Sequence, residues 1–200
     1  MVRMDSAGGG GAAPHQVSLV EVAARVRIPI ESSTTYRGRN SRPNWLALLA
    51  FVALGFAAGG LGAAFSPAFS ASSASWYANL EKPTWTPPDQ LFGPVWTALY
   101  LLIGVAVWII WGERYHRGRN TALFAFTVQL FLNAVWAPLF FGNRNIGLGL
   151  LVIVALWLSL VWTVREFWTV RIISAVLMLP YLTWVSFAAA LNLAIWRHNF

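Results

Sequence analysis

The chain contains no cysteine, which excludes disulfides, thiol nucleophiles and Cys-ligated metals. Charge is scarce too: 10% of the 200 residues are Asp, Glu, Lys or Arg, against about 25% in a soluble domain. Histidine occurs at His15, His116 and His198, all outside the apolar blocks and without metal-ligand spacing. A haem held inside a helix bundle would have only Tyr100, Tyr181 and Met178 as axial candidates. The apolar blocks carry no charged residue, which excludes proton relays, voltage sensors and carboxylate pairs. Hydrolytic triads and phosphate-binding loops are missing as well. No metal and no cofactor is expected. The net charge of +7 is scattered between apolar blocks. That pattern argues against nucleic acid and for loop charges that set membrane topology.

What is present is apolar and aromatic. Hydrophobic residues make up 58% of the chain, and 12 residues are Trp. A soluble core of this size could not bury so much, and the exposed remainder would aggregate. A spanning helix needs about 20 apolar residues, and a charge at its centre costs about 2.5–3.5 kcal/mol on insertion scales. Spans therefore belong in charge-free intervals. From residue 43 onward these are 43–80, 90–112, 120–143, 145–164 and 172–196. The first is too long for one helix and changes character, continuous and apolar over 45–65, Ser-rich over 66–75 (SPAFSASSAS). The expectation is an all-α membrane protein, a bundle of five transmembrane helices. Its spans lie at about 45–65, 93–112, 120–142, 146–165 and 172–196 within a domain of residues 45–200. Residues 1–44, with glycines at 8–11 and a Ser/Thr run at 32–35, read as a disordered tail.

Lysine and arginine counts orient the spans. On the N-terminal side lie Arg37, Arg39, Arg42, Arg114, Arg117, Arg119, Arg165 and Arg171; on the other lie Lys82, Arg144 and Arg197. Eight against three places the N-terminus in the cytoplasm. The loop over 66–92 and the C-terminus then share the outer face.

Tryptophans at span ends (Trp45, Trp108, Trp111, Trp168, Trp196) suit interfacial anchoring. Trp184 does not, because it lies mid-span, where an indole N–H finds no water. Ala188 and Asn192 follow it at helical spacings of four. Gln129 and Asn133 repeat that spacing on the third span, with Trp136 three residues on. Such amides otherwise serve as interhelical glue, about 0.6 kcal/mol each on average. At 1.5 Å per residue, Trp96, Trp136, Ala188, Asn133 and Trp184 fall about 5, 10, 12, 15 and 18 Å below the outer edge. They share one half of the bundle under the long loop: a lidded pocket for flat, largely apolar ligands.

The loop carries the most distinctive run, WYANLEKPTWTPPDQLFGPVWTALY at 76–100, whose four prolines over 83–94 stiffen it. This run resembles the translocator protein family, also called tryptophan-rich sensory proteins or peripheral-type benzodiazepine receptors. QLFLNAVWAPLFFG (129–142) and LPYLTWVSFAAALNLAIWRHN (179–199) are similar to that family's two other hallmarks. The resemblance covers residue 76 to the end, and the first helix by position. It implies a five-helix bundle, usually dimeric, that binds porphyrins, haem and sterol-like lipids beneath the first loop. It further implies a cavity lined by Trp96, Trp136, Trp184, Ala188 and Leu191, with Phe92, Gly93, Asn133 and Phe140. Tyr77, Pro83 and Pro87 match the loop side of the site. Light-driven protoporphyrin degradation, described for some bacterial members, would involve Trp96 and Trp184 as catalytic residues. Two positions depart from the family: Gln90, where many members have Trp, and Leu193, where the sterol-recognition pattern has Tyr.

Three functions stay open: a tetrapyrrole-binding sensor, regulator or carrier; a porphyrin-degrading enzyme; a porphyrin or lipid transporter. The expected setting is multi-pass in a bacterial cell membrane, with the lipid bilayer and a porphyrin, haem or sterol-like molecule as partners and no nucleic acid. A homodimer is also expected. Gly55, Gly59 and Ala63 recur every four residues, a seam for close helix approach in a dimer or within one bundle.

Overall fold

A chain in lipid must satisfy its backbone internally, because no water replaces a missing hydrogen bond. The computed structural model describes residues 44–200 and meets that demand with helices. The tail expected over 1–44 lies outside the described residues, Asn44 excepted, as do Arg37, Arg39 and Arg42 of the charge count. Helix α1 is Trp45–Phe65 and α2 is Ala71–Ala78. After a 3-10 turn at Asp89–Leu91 come α3 (Phe92–Gly112) and α4 (Arg119–Ala137), which runs into a π-helical turn, Pro138–Gly142. The chain ends with α5 (Ile146–Val170) and α6 (Ile172–Asn199). Five of these are long and apolar enough to cross a membrane: α1, α3, α4 with its π turn, α5 and α6. This is the expected all-α, five-span bundle.

Short polar side chains start the helices. Asn44 caps α1 by accepting the Ala47 N–H at 3.2 Å, and Asn145 caps α5 by accepting that of Leu148 at 2.9 Å. Two spans run longer than the charge-free intervals allow. Helix α5 continues five residues past 165 to Val170, taking Arg165 and Glu166 into the helix, where Trp162 Nε1 donates to Glu166 Oε1 at 3.2 Å. Helix α6 continues past 196 to Asn199. Charges at a helix end sit at the headgroups, so they do not terminate the helix. The Ser-rich stretch is not all loop either. Ser70 caps α2, accepting the Ser73 N–H at 3.3 Å.

The five spans close into a ring. Helix α1 lies beside α3 and α4, α3 beside α6, α6 beside α5, and α5 beside α4. The centre is filled by Ile103, Val107, Phe126, Leu156, Leu160 and Met178. Large apolar side chains such as Phe124, Phe131, Leu151 and Leu158 point outward, as lipid-facing residues do. The closest helix crossing is α1 on α3 at Gly104, where an added Cβ would stand 2.5 Å from Val52 Cγ2 and 3.0 Å from its Cα. The small residues of α1 pack within the protomer too. Gly55 and Gly59 both face the ring of Tyr100 on α3. Of the two uses expected for the Gly55–Gly59–Ala63 spacing, the structure displays the intramolecular one.

Candidate ligand cavity beneath the first loop

At the loop end of the ring the helices leave a cavity of about 410 Å³. Four spans and the loop contribute to its wall; α5 does not. From α3 come Phe92, Gly93 and Trp96, and from α4 with its π turn come Asn133, Trp136 and Phe140. Helix α6 supplies Trp184, Ala188 and Leu191, and α2 supplies Tyr77. All ten were expected from the sequence to sit together. Pro83 and Pro87 do not line the cavity. They shape the loop instead: Pro83 O accepts both the N–H and the hydroxyl of Thr86, at 3.0 and 2.7 Å. That turn carries Trp85, whose ring meets Phe187 of α6 edge-on at 5.6 Å.

The aromatic wall is built from pairs. Trp96 stacks on Tyr100 at 5.3 Å and 25°, and Trp136 stacks on Phe140 at 5.3 Å and 16°. Trp184 meets Phe92 edge-on at 5.7 Å. Helix α2 is pinned over the cavity by Trp76 against Phe140 and Tyr77 against Phe141, at 5.6 and 5.5 Å. The loop beyond it is tied to the end of α6. Asn199 Oδ1 accepts the Glu81 N–H at 3.1 Å, and Asn199 Nδ2 donates to the Glu81 carbonyl at 3.0 Å. Lys82 Nζ donates to the carbonyls of Tyr77, Ala78 and Leu80 and lies 4.7 Å from the Tyr77 ring centre.

Deeper in the bundle, Tyr100 donates its hydroxyl to Asn133 Oδ1 at 3.1 Å, and Asn133 Nδ2 donates to the Tyr181 hydroxyl at 2.9 Å. This bridge joins α3, α4 and α6 across the ring. Asn133 therefore acts as a structural amide as well as a lining one. Asn192 and the indole N–H of Trp136 also line the cavity, yet neither has a hydrogen-bond partner. Gln129 is fully buried and unpartnered outside the cavity. At the mouth stands Asp89, the one charged residue in the lining. The Tyr77 hydroxyl is pushed up to about 12 by burial first and by the Asp89 carboxylate second.

Sequence reasoning missed Tyr100, Asp89 and the α1 strip of Ala58, Gly59 and Gly62, all of which line the cavity. Tyr100 lies one helical turn after Trp96, a signal that was available. Among the described residues no group of His, Cys, Asp or Glu could hold a metal. The wall offers ring faces, two neutral polar groups and a rim carboxylate. It can bind a flat apolar molecule; it holds no nucleophile–base pair.

Fold and cavity together define a multi-pass integral membrane protein, a ring of five helices with an aromatic cavity under its first loop. The chain belongs to the TspO/MBR family, whose sequence model matches residues 47–197. Among similar proteins, Protein CrtK of Rhodobacter capsulatus is 39% identical over 143 residues, covering 71% of this chain and 86% of that protein. Tryptophan-rich protein TspO of Archaeoglobus fulgidus is 41% identical over 153 residues, 76% and 94% of the two chains. The human Translocator protein is 36% identical over 126 residues, 62% and 75%. Bacterial relatives and five apolar helices fit a multi-pass protein of a bacterial membrane.

Proposed function

We propose that this protein binds tetrapyrroles, or similar flat apolar molecules, in the cavity beneath its first loop and acts as a membrane sensor or regulator. The observation that carries the reading is the convergence of Trp96, Trp136 and Trp184, from three helices, on one cavity with the small Ala188 between large rings. Its volume, about 410 Å³, falls within the range of roughly 300–1,000 Å³ typical of ligand pockets. No His, Met or Cys lines it, so a metal-free porphyrin suits the wall better than haem, whose iron takes such ligands. A relative in Cereibacter sphaeroides carries the name Tryptophan-rich sensory protein, which supports the regulatory role. A homodimer is part of the same reading. Titration with protoporphyrin, followed by tryptophan quenching, tests it. Stacking on one aromatic ring is worth about 1–3 kcal/mol, so Trp184→Ala weakens binding roughly 5- to 150-fold. Unchanged affinity in a Trp96→Ala, Trp184→Ala double variant moves the site elsewhere.

A second reading, light-driven porphyrin degradation, draws on the stacking of Trp96 on Tyr100 at 5.3 Å, which puts two oxidisable rings in contact at the cavity wall. Under it, Trp96→Phe and Trp184→Phe keep a ring face and bind nearly as well as the parent. Illumination of the bound porphyrin then bleaches it far more slowly. Equal bleaching in parent and variants removes those indoles from the chemistry.

A further inference from the structure

The cavity interior offers hydrogen-bonding groups but no positive charge. The N–H of Trp136 and the amide of Asn192 are unpartnered and face the lining, and both are neutral. Asn192 is 2% exposed, so a carboxylate brought beside it would lose its water without gaining a counter-charge. Such burial is costly, which keeps an ionised group of any ligand at the mouth. There it meets Asp89, the only charged lining residue. The loop has one cation, Lys82. That residue does not line the cavity, and its ammonium is taken up by the carbonyls of Tyr77, Ala78 and Leu80 and by the Tyr77 ring. The raised Tyr77 hydroxyl reports the Asp89 field at a second lining group. We infer that Asp89 makes the cavity select uncharged flat ligands over carboxylate-bearing ones of the same shape. The inference rests on the tetrapyrrole reading above and names the chemical form that the site takes: an esterified or otherwise uncharged ring rather than a dicarboxylate.

Protoporphyrin IX and its dimethyl ester share one ring and differ in two negative charges, so they separate shape from charge. Both are titrated against the full chain in lipid nanodiscs at neutral pH, by tryptophan quenching. The ester is expected to bind about fivefold more tightly, the scale of one like-charge contact in water. Asp89→Asn keeps the size of the side chain and brings the ratio of the two affinities towards one; Asp89→Lys inverts it. Asp89 is exposed and has no side-chain hydrogen bond, so these variants disturb little else. The ester also partitions more readily into lipid, but that preference does not depend on residue 89. A ratio unchanged in both variants, or a dicarboxylate that binds as tightly as the ester in the parent, overturns the inference and leaves the tetrapyrrole reading standing. Failure of both compounds to bind overturns the tetrapyrrole reading and takes the inference with it.

Discussion

Gly59 and Tyr100 compete for a space that admits one side chain. A Cβ on Gly59 would lie 2.2 Å from Tyr100 Cε2 and 2.8 Å from its hydroxyl. The glycine thus lets the tyrosine reach Asn133. Overpacking typically costs about 1–3 kcal/mol, so Gly59→Leu is expected to lower thermal stability in detergent by an amount of that order. Light scattering of the same variant separates the two uses of the spacing, since loss of a dimer with full thermal stability would return the seam to an interface between copies. Asn133 gives a second residue-scale outcome. Interhelical hydrogen bonds in membranes average about 0.6 kcal/mol, and Asn133→Ala breaks two, so about 1–2 kcal/mol is lost. Tyr100→Phe breaks one and should lose about half as much; equal losses in a thermal-shift comparison would contradict the bridge. The sequence disclosed Asn133, because an amide four residues from Gln129 in an apolar span stands out. It concealed Tyr100, because a tyrosine among aromatic residues looks like any other core ring. Only the coordinates reveal that its hydroxyl lands on that amide and its face on Trp96.

At the scale of elements, the spans were legible because charge-free intervals are a direct consequence of bilayer energetics. Their ends were not. Arg165 and Glu166 lie within α5, since a long side chain can reach the headgroups from inside a helix. Helix α2 was hidden for another reason. Its residues, ASSASWYA, have weak helical propensity. What holds the helix is Ser70 at its start and Trp76 and Tyr77 packed on Phe140 and Phe141, contacts that depend on the fold. The loop that follows is fastened to α6 by Asn199, through backbone atoms of Glu81. Exposed hydrogen bonds contribute about 0.5–1.5 kcal/mol each, so Asn199→Ala is expected to speed porphyrin release by about three- to tenfold. Glu81→Ala leaves the backbone pair intact and should release at the parent rate. Stopped-flow displacement measures both; identical rates for all three proteins would mean that the loop is not what retains the ligand.

The whole molecule has two ends, and its charges differ between them. Among the described residues, Arg114, Arg117, Arg119, Arg165 and Arg171 lie at the end remote from the cavity, against Lys82, Arg144 and Arg197 at the cavity end. The remote end also gathers aromatic anchors. Trp45 stacks on Trp108 at 5.6 Å, and Arg119 lies over Trp111 at 4.4 Å. Orientation follows the number of Lys and Arg rather than the net charge, so the pairing of Arg171 with Glu113 does not alter the count. The expected topology has the remote end in the cytoplasm and the cavity mouth, with Asp89, on the outer face. Because the chain has no cysteine, single cysteines give an unambiguous readout. Thr84 is exposed in the loop, and Tyr115 is 97% exposed in the loop between α3 and α4. In sealed spheroplasts a membrane-impermeant maleimide should label Thr84→Cys at once and Tyr115→Cys only after lysis. Prompt labelling at 115 and protection at 84 would invert the molecule. Prompt labelling at both would contradict the odd number of crossings, since one span, α3, separates the two sites.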